Sequence, residues 1–164
     1  MFLKKLILVV SPPACGKTYV SKKLATALHH VVYLDKDTLI PLSKKIFEAA
    51  NEEYNRSSDF FNRVIRDVEY VKSLAKKLAE KNAELTFVWV EASSETCHQR
   101  MLERNSSRDT WKMTHWDEYI KGVDFSIPTP LANKDTGCKL LVFNNNVGVD
   151  FDKEMEKLVK QIQK

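Results

Sequence analysis

Short apolar runs and longer stretches of helical spacing alternate along this chain. Continuous apolar or β-branched runs, which predict strands, occur at residues 6–10, 31–34, 85–90 and 139–143. Apolar residues at helical spacing predict a first helix that begins after residue 17. The same spacing predicts further helices at about 42–50, 58–81, 95–104 and 151–162. Strands that alternate with helices predict an α/β fold with a parallel sheet, whose ligands bind at the carboxyl ends of the strands.

The segment between the first strand and the first helix carries the clearest chemical signal. Residues 11–18 read SPPACGKT and match the phosphate-binding (Walker A) pattern G-x-x-x-x-G-K-[ST], except that Ser11 replaces the first glycine. Glycine lets the backbone approach a phosphate, the lysine reaches the β- and γ-phosphates, and the hydroxyl is placed to ligate Mg²⁺. An ordinary strand-to-helix turn is the alternative. The predicted phosphate-binding residues are Pro13, Ala14, Cys15, Gly16, Lys17 and Thr18.

Composition narrows the class of protein. A chain of 164 residues with 43% hydrophobic residues is long enough for one core and short for two, so we expect a single domain. The net charge of +4 is scattered, which permits nucleic acid as a partner without indicating it. Three cysteines without C-x-x-C spacing are typical of reduced thiols. With no signal-peptide pattern and no run of membrane-spanning length, we expect a cytoplasmic protein with no membrane contact.

Two further groups of charged residues are candidates for chemistry. Asp35 and Asp37 follow the second predicted strand, and their alternative role is a solvated turn or a helix cap. Arg100, Arg104 and Arg108 are spaced four apart and would form one stripe on a continuous helix. Guanidinium groups suit the charge of a transferring phosphoryl group, but the same stripe could simply pair with neighbouring acidic residues such as Asp109.

In the order of these motifs, the chain resembles small P-loop kinases, the group that includes shikimate kinases, gluconate kinases, zeta toxins and chloramphenicol phosphotransferases. The resemblance implies a parallel-sheet P-loop NTPase fold, a three-layer α/β/α sandwich with a small helical lid at about 105–120. It implies ATP and Mg²⁺ as cofactors, the metal held by Thr18 and Asp35. By the same resemblance, Asp37 or Asp35 would orient or deprotonate the acceptor. The implied catalytic residues are Lys17, Asp35, Asp37, Arg104 and Arg108.

The sequence departs from that family between residues 58 and 81. The family pattern has another central strand there, whereas this stretch has helical spacing throughout. Either the sheet is reduced, or a segment near Tyr70 and Val71 is missing. We favour the missing segment, because one helix of about 23 residues would be long. A protein mass well above 18.9 kDa would support it, and a matching mass would contradict it.

Three functions remain open at this stage. The first is a kinase that moves the γ-phosphate of ATP to a hydroxyl of a small molecule. The second is a kinase that acts on a nucleic-acid end or a nucleotide-sugar, as zeta toxins do. The third is an ATP- or GTP-binding module or ATPase without transferase activity, which Ser11 and the absent strand favour. The sequence does not define the acceptor, the choice between ATP and GTP, or the oligomeric state.

Overall fold

The computed structural model describes residues 4–35, 41, 44, 45, 48, 49 and 65–164, with Arg108 described for its backbone only. The predicted helix at 42–50 therefore lies mostly outside the described residues, although those described between 41 and 49 are helical. Asp37 and the expected helix start near Ser58 also lie outside them.

Three parallel strands form the sheet of the described residues. They are β1 (Lys4–Val10), β2 (Ala83–Glu91) and β3 (Lys139–Asn144), in the spatial order β1-β2-β3. β2 lies in the centre, and its residues 85–90 are all buried, as the continuous apolar run predicts. Because the strands are parallel, their carboxyl ends meet at one edge, where Val10 pairs with Trp89 and Glu91 pairs with Asn144.

Seven helices are described around this sheet. Capping side chains mark some of their starts: Ser93 accepts a hydrogen bond from the Thr96 N–H at 3.1 Å, and Asp150 accepts one from the Lys153 N–H at 3.1 Å. The helices are α1 (Lys17–Ala27), α2 (Val68–Ala79), α3 (Ser94–Arg104), α4 (Thr110–Thr114), α5 (Trp116–Lys121), α6 (Thr129–Ala132) and α7 (Phe151–Gln163).

Alternate residues of β2 supply two hydrophobic cores, one on each face of the sheet. Val88 and Val90 pack with buried residues of α1, α3, β3 and α7. Leu85, Phe87 and Trp89 face the opposite way and pack with residues of α2 and α6. Because successive side chains of a strand point to opposite faces, this division makes the sheet the middle of three layers. The α/β/α sandwich is therefore confirmed.

The prediction of a second strand at residues 31–34 is wrong. Residues 31–35 form no strand, and none of the strands in the described part of the chain pairs with them. The side chains of Val32 and Leu34 are 83% and 70% exposed. β-branched residues favour strands chiefly by packing on a half-buried sheet, and here that packing is missing.

The long helix expected at 58–81 is also corrected. Residues 65 and 66 form a turn, and Asp67 caps α2 by accepting a hydrogen bond from the Tyr70 N–H at 3.0 Å. α2 therefore has 12 residues and runs through Tyr70 and Val71 without a break. An Asx N-cap inside an apolar helical pattern begins the helix at that point, which spacing alone does not reveal. A segment missing near residue 70 stays a prediction for mass measurement.

A search of the described residues finds no helix that combines the length and apolar character needed to cross a membrane.

Candidate phosphate-binding site

The loop between β1 and α1 occupies the carboxyl edge of the sheet. Two of its residues have left-handed backbone conformations, Ala14 with φ 63° and Gly16 with φ 94°. Gly16 is the N-cap of α1, and its carbonyl accepts the first helical hydrogen bond, from the Val20 N–H at 3.0 Å. The first-turn N–H groups of α1 have no acceptor within the helix, so they form a positive end suited to an anion.

The side chain of Lys17 folds back over the same loop. Its ammonium group donates hydrogen bonds to the carbonyls of Ser11 at 2.8 Å and Pro12 at 2.9 Å. The loop therefore curls around a positive charge. Thr18 follows on the first turn of α1, and its side chain is exposed.

Two residues from distant parts of the chain bind the loop through the Cys15 carbonyl oxygen. That oxygen accepts hydrogen bonds from Arg100 Nη1 at 3.3 Å and from Asn145 Nδ2 at 2.8 Å. Arg100 Nη2 also donates to the Asn145 carbonyl at 2.7 Å, and the Asn145 N–H donates to the Glu91 carbonyl at 2.8 Å. The loop is thus tied to α3 and to the ends of β2 and β3.

Gly16 is required where Asn145 approaches it. A Cβ at position 16 would lie 2.4 Å from Asn145 Nδ2, closer than real Cβ contacts allow. The backbone at this position is also left-handed, which disfavours every residue with a Cβ. The glycine of the G-K-T motif therefore serves close packing against Asn145 as well as the turn itself.

Two cysteine thiols meet beneath the loop. Cys15 Sγ and Cys97 Sγ are 3.4 Å apart, and both side chains are fully buried. The hydrogen bond from Cys97 lowers the pKa of Cys15 to about 7, and the charges of Lys17 and Arg100 act in the same direction against the effect of burial. The same contact raises the pKa of Cys97.

The two predicted aspartates have different outcomes. Asp37 lies outside the described residues. Asp35 is half-buried, and its Oδ2 accepts a hydrogen bond from the Tyr33 hydroxyl at 3.2 Å. Burial and the neighbouring Asp35 carboxylate raise the pKa of Tyr33. Because residues 31–35 form no strand, Asp35 does not stand at the end of a strand as the sequence predicts.

The three arginines do not form one stripe. α3 ends at Arg104, where Asn105 takes a left-handed conformation, and Arg108 lies on the next 3₁₀ turn, Ser107–Asp109. Arg100 contacts the phosphate-binding loop. Arg104 instead donates two hydrogen bonds to Asp109, the first from Nε at 3.0 Å, so the alternative role raised from the sequence is the one observed.

Asp109 is the centre of a buried ion-pair network at the start of the predicted lid. Its side chain is 1% exposed and also accepts a hydrogen bond from Lys112 Nζ at 3.3 Å. Burial raises the pKa of Asp109, but the hydrogen bonds and charges of Arg104 and Lys112 outweigh it, so the net pKa is lowered. The carboxylate therefore stays ionised and joins α3 to α4.

Aromatic side chains connect the rest of the lid region to α3. The rings of Trp116 and His98 stack with centroids 4.0 Å apart. The Tyr119 hydroxyl is buried and has no hydrogen-bond partner among the described residues. Burial raises the pKa of Tyr119 to about 12, and the nearby Cys97 and Cys15 contribute in the same direction. The predicted lid region thus packs against α3.

The whole architecture is similar to that of a solved structure. A crystal structure of a candidate kinase from Chloroflexus aurantiacus J-10-fl superposes with a TM-score of 0.56 and 20% sequence identity, covering 99% of this chain and 98% of that chain. This chain shares the α/β fold of that structure. At that identity the likeness defines the fold and leaves the reaction and its substrate undefined.

Two other structures are more distant. They are an uncharacterized protein from Eubacterium ventriosum ATCC 27560 (17% identity, TM-score 0.46, 98% of each chain) and deoxyadenosine kinase from M. mycoides with bound dATP (14%, 0.43, 98% of this chain and 100% of that chain). Neither carries an argument at that similarity. No family model matches the sequence, and a search of curated proteins finds no significant match.

Sequence reasoning missed the hydrogen bonds that shape this P-loop. The sequence indicates Arg100 only as a possible phosphate ligand, whereas the structure places both Arg100 and Asn145 on the Cys15 carbonyl. One signal was available for Asn145, since it follows the end of β3 at the edge where ligands bind in parallel sheets. The contact between Cys15 and Cys97 had no sequence signal.

Proposed function

We propose that this protein is an ATP-dependent phosphotransferase that moves the γ-phosphate of ATP to a hydroxyl of a small molecule. The observation that carries the proposal is the P-loop itself, which curls around the Lys17 ammonium and leads through Gly16 into α1. Phosphoryl transfer depends mainly on positioning and on neutralising negative charge, and these are the features that this loop provides.

Lys17 has a defined task in this proposal. Its ammonium is held by the Ser11 and Pro12 carbonyls, which a phosphate oxygen would replace as acceptors. Backbone N–H groups of residues 14–18 would bind the same phosphates, with Gly16 giving the closest approach. The exchange keeps every donor satisfied, so binding need not leave the ammonium without an acceptor.

A magnesium ion fits the residue types at the start of α1. Thr18 presents an exposed hydroxyl on the first turn, and Asp35 offers a carboxylate oxygen, both of the hard oxygen type that Mg²⁺ prefers. When bound with ATP, Mg²⁺ would supply charge neutralisation at the phosphates. We assign Thr18 and Asp35 as its protein ligands in this proposal, and Asp37 as the residue that orients or deprotonates the acceptor hydroxyl.

Arg104 and Arg108 are the proposed lid arginines. Arg104 can reach a phosphate only by giving up hydrogen bonds to Asp109, so its catalytic role requires the lid to rearrange. The ion pair between Arg104 and Asp109 favours one alternative raised from the sequence, a nucleotide-binding protein without transfer activity. We keep it as the second candidate function. A cytoplasmic protein with ATP as its nucleotide and a small-molecule acceptor remains our first choice.

The test is thermal stability with Mg²⁺ and ATP, GTP or no nucleotide. A ligand at about one hundred times its Kd stabilises the folded state by about 2.7 kcal/mol, and hence raises the Tm by about 5–10 °C for a chain of this size. Lys17→Ala should abolish the shift. Lys22→Ala, which removes the same charge from an exposed position of the same helix, should retain it.

A second variant separates the two candidate functions. Asp37→Asn should keep the ATP-induced rise in Tm and lose phosphate transfer in a screen of hydroxyl acceptors. Absence of any shift with either nucleotide at millimolar concentration would overturn the proposal for both functions. A shift without turnover on any acceptor would favour the binding protein.

A further inference from the structure

The thiols of Cys15 and Cys97 are placed for reaction with each other. Their sulfur atoms are 3.4 Å apart and both side chains are fully buried, so the two thiols contact each other away from solvent. A disulfide bond is about 2.0 Å long, so the two sulfurs would have to approach by about 1.4 Å. The third cysteine, Cys138, lies before β3, and its sulfur contacts the Thr136 hydroxyl at 3.1 Å.

The surroundings of the pair favour a thiolate at one position. Arg100 donates a hydrogen bond to the Cys15 carbonyl at 3.3 Å, Lys17 is two residues from Cys15, and the hydrogen bond between the two sulfurs favours the Cys15 thiolate. The resulting pKa of Cys15 is about 7, which gives a large thiolate fraction at neutral pH. Cys15 is therefore the nucleophile of the pair, and Cys97, with its raised pKa, is the partner that reacts second.

We propose that Cys15 and Cys97 form a reversible disulfide, which makes the P-loop a site of redox modification. The oxidant is a hydroperoxide. With hydrogen peroxide, the Cys15 thiolate attacks one peroxide oxygen, the O–O bond breaks, and a sulfenic acid and a hydroxide ion result. The hydroxide takes up the proton that Cys15 released on ionisation and becomes the first molecule of water. The Cys97 sulfur then attacks the Cys15 sulfur and displaces the hydroxyl group, which leaves with the Cys97 proton as a second water. A dithiol restores both thiols by exchange.

The bond would act on the part of the loop that binds phosphate in the proposed function. Cys97 and Arg100 are one turn apart on α3, and Arg100 already holds the Cys15 carbonyl. A disulfide would add a covalent tie between the same loop residue and the same helix. The inference itself concerns the two thiols alone and stands whether or not the protein transfers phosphate.

Burial determines how the reaction proceeds. Both sulfurs lie under the loop, so peroxide reaches them when the loop opens, and the bond forms as it closes. Cys138 is half-buried and has no thiol neighbour among the described residues, so it provides an internal comparison. It is expected to remain reduced, or to progress to higher oxidation states that a dithiol does not reverse.

The experiment uses the full chain, reduced with dithiothreitol, desalted and treated with hydrogen peroxide. Remaining thiols are alkylated in denaturant, and trypsin peptides are analysed by mass spectrometry. Cleavage after lysine and arginine places the three cysteines in separate peptides, 6–17, 82–100 and 135–139. We expect a linked peptide of 6–17 with 82–100, two hydrogens lighter than the two peptides together, which dithiothreitol resolves.

The variants give matched controls. Cys138→Ser should form the linked peptide at the wild-type rate, and Cys15→Ser and Cys97→Ser should not form it. The wild-type peptide map needs no variant, so the test holds even if one of these fails to fold. Three results would overturn the proposal: no link after a peroxide dose that oxidises Cys138, a link that includes Cys138, or irreversible oxidation of Cys15 with Cys97 still free.

Discussion

Replacing Gly16 by alanine tests the packing that shapes the P-loop. The new Cβ would lie 2.4 Å from Asn145 Nδ2, so the Asn145 amide must move and lose its hydrogen bond to the Cys15 carbonyl. The left-handed backbone costs about 1–2 kcal/mol for a residue with a Cβ. Losing a buried hydrogen bond costs about 1–3 kcal/mol more. We therefore expect Gly16→Ala to reduce the free energy of unfolding by about 2–5 kcal/mol.

A second glycine isolates the steric part of that loss. Gly148 has φ 85°, close to the 94° of Gly16, but an added Cβ would meet nothing within 4 Å. Gly148→Ala should therefore cost only the backbone strain, about 1–2 kcal/mol. Urea unfolding followed by circular dichroism gives both values, and the difference between the two variants reports the contact with Asn145.

A double-mutant cycle completes the test. Asn145→Ala removes the amide that the new Cβ would strike, so Gly16→Ala should cost about 1–3 kcal/mol less in that background than in the wild type. If the two substitutions are additive, or if Gly16→Ala costs no more than Gly148→Ala, the close packing inferred from the structure is incorrect.

Two other predictions concern the charged residues of α3 and the lid. Asp109→Asn should destabilise the protein by about 1–3 kcal/mol near neutral pH, because Arg104 and Lys112 lose their charged partner. Since the pKa of Asp109 is lowered on folding, this stabilisation is present above the ordinary carboxyl pKa and lost as the pH falls through the lower folded value. Urea titrations from pH 7 to about pH 2 should therefore show wild type and Asp109→Asn converging in acid, and a constant difference would contradict the assignment. Arg100→Lys keeps the charge, but lysine cannot bridge two carbonyls as the guanidinium does, so we expect nucleotide affinity measured by calorimetry to fall about tenfold. Arg66 forms an exposed ion pair, so the control Arg66→Lys should leave the affinity unchanged. Equal affinities in the two variants would remove Arg100 from the positioning of the loop.

The sequence predicts the parts of the fold that are defined by local burial. β2 is apolar at every position from 85 to 90 except Thr86, because both of its faces are covered, and such a run has few other interpretations. Residues 31–34 have a similar β-branched and aromatic composition, but no strand in the described part of the chain pairs with them, and they stay exposed. Composition indicates that a segment can join a sheet, whereas tertiary pairing determines whether it does.

The candidate site also has a part that the sequence predicts and a part that it does not. The G-K-T motif predicts the loop and its lysine because their chemistry is local, and the structure shows the loop curled around Lys17. The supports of that loop are not local, since Arg100 lies 85 residues from Cys15 and Asn145 lies 130 residues from it. Its place near the predicted lid made Arg104 a stronger candidate than Arg100 for binding a phosphate, but a buried carboxylate five residues away binds its guanidinium.

The same supports imply that the P-loop is formed before nucleotide binds. The Cys15 carbonyl is fixed by two donors, and these reach it from α3 and from the end of β3, elements that the core already holds in place. The loop therefore does not have to be ordered by its ligand, and binding avoids much of the entropy cost of fixing a backbone. In the proposed function, the change on binding is at the Lys17 ammonium, which would exchange two carbonyl acceptors for phosphate oxygens. Affinity for a nucleotide should accordingly depend more on the charge of Lys17 than on any rearrangement of the loop.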